Sequence, residues 1–194
     1  MVTADYLFLV RHGESSANEK GIEAGPLPYP LAKSGRKDAS FLSKALKDVE
    51  FYAAYSSPVQ RAVETAKIIA RPHGLQIKTL EGLTEAKIKK KFVGKKKRHH
   101  ILTSPEAYDE TNAELLKRTA EAVKTIHAES KGNVIVVSHG DVITAMLENV
   151  VERRVSTERY YVFHPEPASL SIVETKGRPF LLLYNYHRKL FGGY

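Results

Sequence analysis

Cysteine is absent from the 194 residues, which excludes disulfide staples, thiolate zinc sites and a thiol nucleophile. Tryptophan is absent too, methionine is down to two, and asparagine and glutamine together number seven. So small a share of thermolabile side chains hints at a heat-adapted source. No eighteen apolar residues run together, and the opening "MVTADYLFLVRHGES" has neither a basic n-region nor a cleavage site. Neither membrane spanning nor secretion is expected, and a cytoplasmic protein is. Gly/Ser linkers and internal repeats are missing as well. With 42% hydrophobic residues the chain can bury a substantial core without disulfides, so one globular domain over 1–194 is expected.

Acids are missing from one segment in particular. Lys87 to His100, "KIKKKFVGKKKRHH", holds eight Lys and Arg and no acid, whereas the other 22 basic residues match the 22 acidic ones. The whole formal excess of +8 therefore resides there. Such a run reads either as a solvated helix face or loop, or as a local attractor of anions. His99 and His100 adjoin lysines without carboxylate partners, so metal ligation by them is not expected.

What the chain does have is short apolar runs separated by amphipathic ones. "YLFLV" (6–10), "NVIVVS" (133–138) and "FLLLYNY" (180–186) read as buried strands, and "FYAAYSS" (51–57), "LQIKTL" (75–80) and "SLSIVE" (169–174) as weaker candidates. Helical patterns lie between them: one from about Ser34 with Ala39, Leu42 and Leu46 on a face, one after Pro58 with Ala62, Ala66 and Ile69, and one from about Asn112 to Glu129. "GPLPYP" (25–30) is a loop because its three prolines break any ladder. Continuous apolar strands alternating with amphipathic helices imply an α/β fold, three layers deep, with a mostly parallel central sheet covered on both faces.

In such sheets ligands bind beyond the carboxyl ends of the strands. Arg11 and His12 end the first strand, "SSPVQRA" ends the second, and "SHGD" with His139 and Gly140 ends the 133–138 strand. Ser57 suits an N-cap, Pro58 the first helical position, and Gln60 completes a capping box. Arg61 then falls in the first turn, and helical side chains lean toward the N-terminus, so its guanidinium should point back at the strand ends. Two arginines, two histidines and helix N-termini converging on one crevice suit a phosphoryl group, because guanidinium forks match its oxygens. A neutral imidazole can attack phosphorus, and flanking cations should lower its pKa and keep it neutral. The leaving alkoxide needs an acid. Glu14, Glu85 and Asp141 are the acids within these motifs.

These residues resemble the histidine phosphatase superfamily, the phosphoglycerate mutase-like proteins. "LVRHGESSAN" (9–18) is similar to the family's R-H-G-x-S/T-x-x-N signature. "LAKSGRKDA" (31–39), "SSPVQRAVETA" (56–66), "LTE" (83–85) and "VVSHGDVI" (136–143) follow in the family's order over nearly the whole chain. The resemblance implies a phosphoglycerate mutase-like fold, with His12 as the phosphoryl acceptor and Arg11, Arg61 and His139 stabilising the transferred group. Ser15, Asn18 and Gly140 would assist on the phosphate side. Glu85 would be the proton donor. Neither metal nor cofactor is implied, save a bisphosphate primer if the enzyme is a mutase. Departures occur at Asp38, where glutamine is usual, at Ala32, where threonine is usual, and after Glu85, where "KKKFVGKK" lacks a tryptophan element common in the small phosphatases.

The expected activity is a phosphomonoesterase acting through a phosphohistidine on a small phosphorylated metabolite. Only 53 residues separate Glu85 from His139, which favours hydrolysis, since the family's mutases use a longer segment there to exclude water. Mutase-type phosphotransfer, a phosphoprotein (phosphohistidine or phosphoserine) phosphatase, and a non-catalytic basic module holding nucleic acid are the rivals. Nucleic acid is the disfavoured partner. An acidic or polyanionic substrate drawn by Lys87 to Arg98 is the expected secondary one, and a homodimer stays open. His73, His127, His164 and His187 read as structural or surface residues. The tail "YNYHRKLFGGY" is expected to cover a hydrophobic edge or make a subunit contact.

Overall fold

The computed structural model describes residues 4–96, 105–150 and 165–191. Strand β1 (Ala4–Arg11) is followed by the short helix α1 (Ser16–Glu19), then α2 (Lys33–Ala45), β2 (Ala53–Ser56), α3 (Gln60–Ala70) and β3 (Ile77–Thr79). Helix α4 (Asn112–Glu129), β4 (Gly132–Ser138), α5 (Gly140–Val150), β5 (Leu170–Glu174) and β6 (Phe180–Tyr186) complete the order. The strands form one six-stranded sheet in the order β3-β2-β4-β1-β5-β6. Strands β1, β2, β3 and β4 run parallel, while β5 pairs antiparallel with both β1 and β6. The expected three-layer, mostly parallel α/β architecture is what forms.

Both faces of the sheet are covered, which is why its central strands are apolar at consecutive positions. Leu7, Leu9, Val134 and Val136 face α4 and α5 through Leu115, Ile126, Ile143 and Leu147. Their neighbours Phe8, Val10, Ile135 and Val137 face α2 and α3 through Leu42, Ala62, Ala66 and Ile69. Each fully buried side chain of this size contributes about 1.5–3 kcal/mol, so the two half-cores together fix the layer order.

Strand β6 departs from the expectation of a buried strand. Among the described residues it is the sheet's edge and pairs only with β5, so Phe180 and Leu182 remain 61% and 50% exposed while Leu181 and Leu183 pack inward. Register shifts in the β5–β6 pairing and a positive φ of 58° at Asn185 break the regular alternation. The tail beyond β6 folds back on α2: Tyr186 stacks on Phe41 at 6.1 Å, and Arg188 donates to buried Asp38 at 2.5 Å. That ion pair accounts for an acid at position 38. No helix among the described residues is long and apolar enough to cross a membrane.

Candidate active site

The sheet order places the carboxyl ends of β2, β4 and β1 side by side, and each delivers one element of the site. Beyond β1 the chain continues along β4 for one more bond, from His12 N–H to the Ser138 carbonyl at 2.8 Å. Gly13 N–H then donates to Thr65 Oγ1 on α3 at 3.0 Å. Two glycines let this turn lie against the start of α2. A β-carbon at Gly13 would stand 2.7 Å from the Gly35 carbonyl oxygen, and one at Gly35 would overlap the backbone of Glu14. Neither site tolerates a side chain without moving backbone.

His12 is 2% exposed. Its Nδ1 lies 2.8 Å from the Gly13 carbonyl oxygen, which can only accept, so Nδ1 carries the hydrogen and Nε2 the lone pair. Arg61 Nε donates to that Nε2 at 3.2 Å. The same guanidinium donates through Nη2 to Glu85 Oε2 at 2.5 Å and to the Gly25 carbonyl at 3.0 Å, and its Nη2 lies 3.4 Å from His139 Nδ1. Arg61 is thus the hub, fully buried at the second position of α3 with its side chain aimed back toward the strand ends. His139, whose carbonyl accepts the first bond of α5 from Ile143 N–H, places Nε2 2.9 Å from Ser57 Oγ. The two imidazoles meet edge to face, with centroids 5.1 Å apart.

Arg11 donates through Nη1 to the Pro165 carbonyl at 2.7 Å, and its guanidinium lies over Gly140 at the start of α5. Its Nε and Arg61 Nη1 are buried without a hydrogen-bond partner among the described residues. Orphaned guanidinium donors in a buried place are costly unless an anion accepts from them. The local field has the same sign. Burial above all, then His139, Arg61 and Arg11, holds His12 well below the ordinary histidine value, and Glu85 opposes them only in part. Burial and then the charges of Arg61, Arg11 and Arg118 do the same to His139.

His12, Glu85 and His139 each bring one ligand atom within 4.8 Å of the others, a spacing that could hold a metal ion. The chemistry of the surroundings argues for an anion instead. Arg61 already bonds or touches all three, so a metal cation would have to displace a buried cation and would leave the orphaned donors unmatched.

The structure therefore brings together His12, Arg61, Glu85 and His139, with Arg11 at the side of the group. Ser15 and Asn18 serve as a reciprocal cap of α1: Ser15 Oγ accepts from Asn18 N–H, and Asn18 Oδ1 accepts from Ser15 N–H at 3.0 Å and from its hydroxyl at 2.7 Å. Of the three acids in the motifs Glu85 bonds Arg61 in the site; Glu14 lies 3.4 Å from Ser34 Oγ and Asp141 sits in the first turn of α5. The expected cap of α3 is corrected. Val59, not Ser57, is its N-cap, because Val59 is still extended and its carbonyl accepts the first helical bonds, from Ala62 and Val63 N–H; Gln60, not Pro58, is then the first helical residue, while Ser57 Oγ accepts from Val59 N–H and meets His139 Nε2. Thr65 was missed, although its place four residues after Arg61 puts it on the same helix face. Lys97 to His100, His164 and the last three residues lie outside the described residues.

A family model described as the histidine phosphatase superfamily (branch 1) matches residues 7–186. The 2,3-bisphosphoglycerate-dependent phosphoglycerate mutase of Thermoplasma acidophilum is 29% identical over 87% of this chain and 86% of its own. The adenosylcobalamin/alpha-ribazole phosphatase of Escherichia coli is 27% identical over 75% of this chain and 78% of its own. Among solved structures, YhfR of Bacillus stearothermophilus superposes with a TM-score of 0.80 at 26% identity, covering 92% of this chain and 95% of its own.

Proposed function

The chain belongs to the histidine phosphatase superfamily, and from that membership we propose that it hydrolyses a small phosphorylated metabolite through a covalent phosphohistidine at His12. The observation that carries the reading is the pairing of one imidazole lone pair with orphaned donors: His12 Nε2 beside Arg61, with Arg61 Nη1 and Arg11 Nε awaiting an acceptor. A phosphoryl group supplies both an electrophile for the first and oxygens for the second.

In the first step the Nε2 lone pair of His12 attacks phosphorus, the bond from phosphorus to the ester oxygen breaks, and that oxygen takes the proton of the Glu85 carboxyl. In the second, Glu85 as carboxylate takes a proton from water, the water oxygen bonds phosphorus, and the N–P electron pair returns to Nε2. Arg61, Arg11 and His139 hold the equatorial oxygens throughout, and Asn18 Nδ2 is a further donor on that side because the cap uses only Oδ1. Arg61 contacts both His12 Nε2 and Glu85 Oε2, so nucleophile and proton carrier are held to one planar fork.

The basic segment supports a substrate with more than one negative group, such as a sugar bisphosphate or a nucleotide. Its described part is laid against the loop that touches Arg61. Glu23 N–H donates to the Lys95 carbonyl and Gly94 N–H to the Glu23 carbonyl, each at 2.8 Å, while Lys96 Nζ donates to the Lys20 carbonyl at 2.8 Å. Two residues on, Gly25 accepts from Arg61. Exposed lysines therefore rim the approach to the hub.

The test is a panel of phosphorylated metabolites, read for inorganic phosphate and, by mass spectrometry, for transfer to a second hydroxyl. Steady phosphate release from at least one monoester, abolished in His12→Ala, is expected. Isomerised or bisphosphorylated product in place of free phosphate would mean mutase chemistry, and sustained turnover by His12→Ala would exclude His12 as nucleophile.

A further inference from the structure

Glu85 sits in a stretch without regular secondary structure, between a single 3-10 turn (Glu81–Leu83) and an isolated bridge at Ile88. A proton carrier on such a loop needs something to fix its backbone, since a misplacement of about 1 Å can cost about 10²-fold in rate. The structure provides it from α4. Arg118 Nη1 donates to the Gly82 carbonyl at 2.8 Å, and Nη2 reaches the Glu85 carbonyl at 3.3 Å. Its other edge grips Glu110, Nε to Oε1 at 2.5 Å and Nη2 to Oε2 at 2.9 Å. Glu110, 6% exposed, in turn accepts from Lys87 N–H at 3.2 Å.

One ion pair thus satisfies backbone groups on both sides of Glu85: two carbonyls at and before it, and one amide after it. Burial alone would raise the Glu110 carboxyl, but the hydrogen bond and charge of Arg118, with help from Lys87, more than reverse this and keep it ionised. The loop also lies hard against α4, where a β-carbon at Gly82 would stand 2.9 Å from that of Ala122. Neither Arg118 nor Glu110 bonds the Glu85 carboxylate itself, which is held by Arg61.

We infer that Arg118 and Glu110 are a positioning pair: they set the backbone of the Glu85 loop so that its carboxyl meets the leaving oxygen. This rests on the proposed role of Glu85 as proton donor. The planar fork is essential to it, because a lysine keeps the charge but has three donors on one nitrogen and cannot reach both Glu110 oxygens and two carbonyls at once. The pair would therefore matter most where protonation of the leaving group matters most.

The experiment measures the single-turnover rate of His12 phosphorylation in Arg118→Lys, Glu110→Gln and Glu85→Gln, using an alkyl phosphate and an aryl phosphate with an electron-poor phenol. Circular dichroism and denaturation midpoints establish that each variant is folded, and Glu110→Gln, which keeps the shape but replaces one of the two acceptor oxygens by a donor, serves if Arg118→Lys is not. Expected is a loss of about 10²-fold on the alkyl ester and only a few-fold on the aryl ester in the pair's variants, with no further alkyl-specific loss when either is combined with Glu85→Gln. Equal losses on both esters, while Glu85→Gln still discriminates between them, would overturn the inference and leave the donor intact. A Glu85→Gln variant that loses nothing specific to the alkyl ester would overturn the donor assignment and the inference with it.

Discussion

His12 has to be unprotonated to attack phosphorus, and its surroundings enforce this before any substrate arrives. Burial and three positive or potentially positive neighbours lower its pKa, and His139 is lowered in the same way. Both groups refuse a proton in the folded chain that they accept in the unfolded one. Stability is therefore intact above the ordinary histidine value of 6.5 and lost as the pH falls from there toward the lower folded values. Denaturation midpoints against pH should decline on that acid side, and the acid limb of kcat/KM should lie below 6.5; a limb above it would mean that a different group sets activity. Since Arg61 already occupies the space among His12, Glu85 and His139, chelator treatment should leave activity unchanged, and a loss restored by zinc would contradict the anion reading.

At the scale of elements, the strands were legible because burial on both faces writes itself as consecutive apolar residues, as at Leu7 to Val10 and Val134 to Val137. Edge position does not, which is why β6 reads as buried while Phe180 and Leu182 face outward. The convergence of Arg11, His12, Arg61 and His139 was legible too, since strand ends and a first helical turn have fixed directions. The grip of Arg118 on the Gly82 and Glu85 carbonyls, the Gly25 carbonyl and the true role of Ser57 were not, because each depends on a partner far along the chain rather than on local pattern. Helix α2 shows the converse. It is preceded by Ala32, an N-cap in extended geometry with no side-chain group to bond the amides of the first turn. Ala32→Ser should supply that bond and stabilise the fold by about 1 kcal/mol, a gain readable in the urea midpoint; no gain would mean that the neighbouring Glu14 already satisfies those amides.

Across the whole molecule, charge is unevenly spread: the +8 excess belongs to the 87–100 segment, of which Gly94 and Lys95 bond Glu23 in the loop whose Gly25 carbonyl accepts from Arg61. Exposed charges act weakly and are screened beyond about 10 Å at 0.1 M salt. Lys91→Glu with Lys95→Glu should raise KM for a bisphosphate by about 3-fold per charge at low salt, and far less for a small aryl phosphate. Equal changes on both substrates, or none at low salt, would remove the rim from substrate capture. The sheet order that sets β2, β4 and β1 side by side makes the central claim possible, and that claim concerns a single bond, from His12 Nε2 to phosphorus. Rapid mixing of the purified chain with a substrate, an alkaline quench within one turnover and peptide mass spectrometry tests it most directly. A phosphoryl group should be found on His12, lost on acid treatment and absent from His12→Ala. Full turnover with His12 unmodified at every quench time, or the phosphoryl group on another residue, would contradict it.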